Sequence, residues 1–167
     1  MERREFLSMT VIGLPAIGSV LMTDRGSSVQ DKPLKMTDDL VKEFVSAGHN
    51  DLPAVQRMLK EHPGLLNASW DLGGGDFETA LEGAGHVGDR QIAEFLIGQG
   101  ARPNIFVLAM LGHTEIIRSL LVSFPALLFA KGPHGLSLLH HAERGGVQEL
   151  VDHLTVLGLT QKKFQMP

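Results

Sequence analysis

The 167-residue chain has no cysteine. That excludes disulfides, thiolate zinc sites and thiol nucleophiles. It leaves the compartment open, because a well-cored exported domain needs no disulfide. Aromatics are scarce: eight Phe, one Trp and no Tyr. The apolar mass is Leu, Ala, Val, Ile and Gly, which suits closely packed helices. Excess positive charge is missing too. The formal net charge is −4, and no Lys/Arg stripe is present to replace counterions, which argues against nucleic acid as a partner. Nor is there a long hydrophobic run. The apolar stretch from Met9 to Met22 would span about 21 Å as a helix, short of the roughly 30 Å of a bilayer core. With 43% apolar and 20% charged residues, the chain has the material for one ordinary globular domain.

Residues 1–22 read as a signal peptide or N-terminal anchor: a basic start, a short apolar core, then polar residues. Arg3, Arg4, Phe6 and Leu7 resemble the twin-arginine export signal of bacteria. The resemblance implies delivery of a folded domain to the periplasm. No small-x-small site follows Met22, so cleaved and uncleaved forms are both open, beside a plain helix docked on the domain. Residues 23–36, with Gly26, Ser27, Ser28 and Pro33, read as a flexible linker.

The rest of the chain repeats itself. Ala84, Gly88, Ile92 and Leu96 stand four residues apart. Ala142, Gly146, Leu150 and Leu154 do the same, as do Leu108, Gly112, Ile116 and Leu120, and Ala47, Asp51, Val55 and Leu59. Apolar residues after each turn recur at helical spacing, and Gly88, Gly112 and Gly146 interrupt the chain. Each copy therefore reads as helix, tight turn, helix. Two short helices cannot bury an apolar face alone, so stacking of copies must supply the core.

These copies resemble the ankyrin repeat. Thr79-Ala80-Leu81-Glu82-Gly83-Ala84 is similar to the family's T-P-L-H-x-A, and Leu96-Ile97-Gly98-Gln99-Gly100-Ala101 to its L-L-x-x-G-A. Gly135 to Ala142 and Gly112 to Ile117 carry further matches in the same register. The resemblance implies an all-α fold: an ankyrin-repeat solenoid of about four helix-turn-helix repeats over residues 37–160, with a tail at 161–167. Positions 51, 88, 112 and 146 are 37, 24 and 34 residues apart, against about 33 in the family. The third repeat is therefore expected to be shortened and to lack the β-hairpin before its first helix. Thr37-Asp38-Asp39 is a helix start, with a capping hydroxyl and early acids. The connectors at 61–68 and 123–130 resemble each other.

His140, His141 and His153 are the conspicuous candidates for chemistry. In the ankyrin register His140 is a structural residue bonded to the neighbouring turn, His141 tends to face the concave groove, and His153 lies on the outer side. The three should not converge, so no metal ligands and no cofactor are expected. His113 matches the family's G-H and reads as a turn residue. "DLGGGD" at 71–76 reads as a hairpin tip, since no Lys-Ser/Thr follows to make a phosphate loop. Asp71 and Asp76 there are not expected to be held rigid. Ser137 reads as a helix cap rather than a nucleophile. Glu82 either hydrogen-bonds its turn or adds charge to the groove.

The expected function is therefore non-enzymatic: a monomeric, exported module that binds another protein through its concave face and hairpin tips. Trp70, Asp71, Asp76, Phe77, Glu82, His134 and His141 are the candidate contact residues, with Trp70 and Phe77 as anchors. Two alternatives remain. The chain could be a membrane-anchored ankyrin adaptor at the inner-membrane surface, held only through its N-terminal segment, or a hydrolase using His and Asp residues.

Overall fold

The computed structural model describes residues 35–166. The expectations for the signal and most of the linker, Arg3, Arg4, Phe6 and Leu7 included, lie outside the described residues. Lys35 and Met36, read from sequence as linker, belong to the packed unit, and Met36 lies against its core.

The described residues are mostly helical. Eight α-helices come in four pairs: α1 (Asp38–Ala47) with α2 (Leu52–Glu61), α3 (Ala80–Val87) with α4 (Arg90–Gly98), α5 (Ile105–Leu111) with α6 (Thr114–Ser123), and α7 (Leu138–Arg144) with α8 (Gln148–Val156). The starts follow from capping side chains. Thr37, Asp51, Thr79, Asp89, Asn104 and Ser137 each accept a backbone N–H of the first turn. Thr79 does so within a capping box, its N–H returned to the Glu82 carboxylate at 2.8 Å. The stops follow from glycine. Gly88 and Gly112 both end their helices at φ 84, a left-handed conformation that costs other residues strain.

Between pairs, the two connectors that look alike in sequence form 3₁₀ turns, Pro63–Asn67 and Pro125–Phe129. After the first of these come β1 (Ser69–Gly73) and β2 (Asp76–Thr79), an antiparallel hairpin with Trp70 opposite Glu78 and Phe77 opposite Asp71. The third pair has no hairpin. Only residues 99–104 separate α4 from α5. Ahead of α7 the chain makes a short 3₁₀ turn, Pro133–Gly135. The stretch read as a C-terminal tail folds back on that turn: Ser137 N–H donates to the Lys162 carbonyl at 2.9 Å, and Phe164 N–H to the Gly135 carbonyl at 2.8 Å.

The first helices stack in order, α1 on α3, α3 on α5 and α5 on α7. The stacking is close enough to require glycine at Gly145, where a Cβ would collide with the Met110 carbonyl. The core has two lobes. Phe44, Val55, Leu65, Ile92 and Leu96 fill one, and Ile117, Leu138, Leu150 and Leu154 the other. The short α5 joins them, giving Val107 and Met110 to the first and Phe106 and Ala109 to the second. Leu96 is fully buried, so Leu96→Ala should cost about 2–5 kcal/mol.

The short connection between α4 and α5 has a consequence for the rest. With no hairpin in between, the turn Pro133–Gly135 of the fourth unit lies directly against β2 of the second.

Candidate functional site

The residues expected to bind a partner do not form one face. Side chains alternate along a strand, so Trp70 shares a face with Glu78 while Phe77 and Asp71 take the other. Trp70 is half-buried against the α1 side of the hairpin, with Lys42 Nζ 5.8 Å from its ring centroid, and lines a shallow groove with Met36 and Val41. Phe77 is 54% exposed. It borders a second groove with Glu82, Phe106, Lys131 and Pro133. Asp71 is exposed and accepts the Gly73 N–H at 2.8 Å. Glu82 is committed to structure: besides the Thr79 cap it accepts a 2.6 Å hydrogen bond from Asn104 Nδ2, the side chain that caps α5.

His141 is not a groove residue. It is 1% exposed, its Nδ1–H donates to the Ser137 carbonyl at 2.8 Å, and its ring lies 5.2 Å from that of Phe106. Burial holds its pKa down at about 4. The short α5 brings Phe106 close to α7, which leaves the ring no open groove to face. His140 does bond its neighbour, with Nε2 at 2.9 Å from the His86 carbonyl, and its pKa too is lowered by burial. A carbonyl only accepts, so each imidazole must present an N–H there. Ser137 is a cap, accepting the His140 N–H at 3.3 Å.

The convergence of donors lies elsewhere. His49 (just after α1), Glu78 (β2), His86 (last turn of α3) and His134 (in the turn before α7) each offer one ligand-type atom, all within 4.8 Å of one another. The three imidazoles stand in a row, edge to face. Ring centroids are 4.8 Å apart for His49 and His86 and 5.1 Å for His86 and His134. Glu78 lies beneath them with its side chain 3% exposed. Its Oε1 is 2.9 Å from His86 Nδ1 and 3.5 Å from His134 Nε2, and its Oε2 is 3.6 Å from His49 Nε2.

Two of these rings are also held from behind. His49 Nδ1 sits 3.1 Å from the Val45 carbonyl and 3.2 Å from that of Ser46, so it carries a hydrogen and its Nε2 edge turns to Glu78. His134 stands between two carboxylates, with Nδ1 3.4 Å from Asp76 Oδ2 and Nε2 3.5 Å from Glu78 Oε1. Asp76 is thus held, contrary to its expected freedom. Its two oxygens take the His134 backbone N–H at 3.0 and 3.1 Å. That clamp holds His134 at φ 58, a left-handed conformation rare for a residue other than glycine. Space for His49 comes from Gly83, where a Cβ would stand 3.0 Å from the ring.

Despite the short approach between His86 Nδ1 and Glu78 Oε1, neither atom has a hydrogen-bond partner, and both are buried. An unpartnered carboxylate oxygen in such a place is costly.

Of the cluster, only His134 figured in the sequence reading, and there as a groove residue. A spacing motif could not have found it, because its members are spread over positions 49 to 134. The repeat register carries a signal. His49 stands two residues after Ala47, and His86 two after Ala84, the same place in two stacked units. Asp76 and His134 each stand three residues before a capping residue, Thr79 and Ser137.

Neither a family model nor a curated protein matches this chain. Function has to be argued from the geometry.

Proposed function

We propose that the chain is a non-enzymatic protein-binding module: an ankyrin-type solenoid of four repeats with the third shortened, exported through its twin-arginine-like segment. The observation that carries the reading is the stacking of α1, α3, α5 and α7 in sequence order, each paired with a second helix across a turn that recurs in register. Such a stack keeps a rigid scaffold behind its inter-unit loops. Phe77 and Leu72, 54% and 43% exposed, are apolar side chains on the one hairpin among the described residues. Large apolar side chains on a loop held by a rigid frame suit a protein partner. With Lys131 and Pro133 at the groove's edge, the partner is a protein segment that covers Phe77 and sets a carboxylate near Lys131.

Affinity capture with the tagged full-length chain from periplasmic extract, beside Phe77→Ala and Trp70→Ala, tests this. A protein held by the wild type and by Trp70→Ala, but lost by folded Phe77→Ala, is the expected result. Capture indifferent to Phe77 would remove the proposed face. Replacing Arg3 and Arg4 by Lys should stop export, and normal periplasmic delivery of that variant would end the export reading.

A further inference from the structure

The histidine cluster has no part in that reading, and its geometry points to a second property. We propose that His49, Glu78, His86 and His134 form a binding site for one divalent transition-metal ion, zinc by preference, which ties the first, second and fourth helix pairs together.

The donor set is three imidazole nitrogens and one carboxylate oxygen. Imidazole suits Zn, Cu, Fe and Ni, whereas Mg and Ca take oxygen cages, so the hard cations are disfavoured. The spacing fits a small ion. Zinc bonds of about 2.0–2.2 Å in a tetrahedron place neighbouring ligand atoms roughly 3.3–3.5 Å apart. The Glu78 oxygens lie 2.9, 3.5 and 3.6 Å from the three histidine nitrogens, and the four ligand atoms all fall within 4.8 Å of one another, so the side chains would draw inward to close a coordination sphere.

The surroundings of the ligands fit as well. Metal-bound histidines ordinarily donate their other N–H to a carbonyl or carboxylate, which fixes tautomer and ring angle. His49 does so to the Val45 and Ser46 carbonyls, and His134 is set to do so to Asp76. Glu78 Oε1 and His86 Nδ1, the two buried atoms without hydrogen-bond partners, would gain a partner in the ion. Glu78 and His86 form the floor, at 3% and 11% side-chain exposure, while His49 and His134 form an open rim at 27% and 35%. The ion therefore has a way in.

Four protein ligands complete a tetrahedron, which marks a structural site; a catalytic zinc keeps a position for water. The site's task is connection. His49 lies in the turn between the two helices of the first unit, Glu78 and His86 belong to the second, and His134 opens the fourth. No hairpin of the third unit stands in the way. The shortening is what allows a ligand from the fourth unit to reach the second.

The test uses the full chain, stripped with a chelator and titrated with zinc against a chromophoric competitor, with cobalt as a spectroscopic stand-in. One zinc per chain, a tetrahedral cobalt spectrum and a higher Tm with zinc are expected. Glu78→Gln and His86→Gln should lose at least about a hundredfold in affinity. Asp76→Asn, whose carboxylate bonds His134, should lose about 10–100-fold. His153→Gln, at a histidine outside the cluster, should bind like the wild type. If Glu78→Gln fails to fold, His134→Ala at the rim supplies the same comparison. Zinc binding that survives His134→Ala and Asp76→Asn, or that is lost equally in His153→Gln, would overturn the site. So would a Tm indifferent to zinc.

Discussion

Two groups of histidines lie close together in this molecule, and they are built for opposite ends. His140 and His141, with rings 5.4 Å apart, each have a nitrogen turned to a backbone carbonyl. His49, His86 and His134 turn three nitrogens toward one buried carboxylate. Neighbours on a helix point about 100° apart, so an adjacent pair cannot chelate from one face. Side chains at matching positions of stacked units face the same way and come into contact. In this fold, repetition brings donors together and adjacency separates them.

The sharpest way to break the contrast is to remove the buried member of the first group. His141→Ala should cost about 3–4 kcal/mol, from the cavity and the hydrogen bond lost at the Ser137 carbonyl. Zinc affinity should stay as it was. Chemical denaturation and zinc titration of the same variant check both halves. If affinity fell in step with stability, the two groups would be coupled and the contrast would fail.

Acid should act on the same residue. Unfolded, His141 takes its proton near the ordinary histidine value of 6.5; folded, burial delays it to about 4. The unfolded state therefore holds more protons between these values, and acid favours unfolding. This contribution is fully present above about pH 6.5 and shrinks as pH falls toward 4, by at most about 3 kcal/mol. Denaturation midpoints in chelator, which removes metal release as a second acid effect, should show the slope in the wild type. His141→Gln should flatten it.

His140→Ala should cost less, about 1 kcal/mol for one hydrogen bond at a half-buried site. It also probes what the sequence disclosed. The His140 bond, the Ser137 and Thr37 caps, the glycine turns and the missing third hairpin were legible because each depends on residues close in the chain or on the repeat register. The burial of His141 was not, since it depends on where Phe106 comes to rest. The Trp70 and Phe77 faces were not, since strand register decides them. The metal-type cluster was hardest to see. Half of it follows from His49 and His86 occupying one register position, and Glu78 comes from the strand that leads into α3, but His134 joins only because β2 and the turn before α7 meet.

The smallest expected effect on stability should sharpen the comparison most. Gly83 is no ligand and no cap. It sits inside α3 under the His49 ring, and an added Cβ would stand 3.0 Å from two ring atoms. Ala favours a helix interior over Gly by about 0.5–1 kcal/mol, which offsets the crowding, so Gly83→Ala should change stability by only a few tenths. The ring has to move, because α3 backbone is the stiffer partner. His49 Nε2 would then leave its place opposite Glu78, and zinc affinity should fall several-fold while His140 and His141 keep their bonds. Thermal melting with and without zinc separates the outcomes: a Tm unchanged in chelator, with a smaller rise on adding zinc, is the expected pattern. An unchanged zinc response would mean that His49 stands beside the ion without holding it, and the site would shrink to Glu78, His86 and His134, with one coordination position open to water.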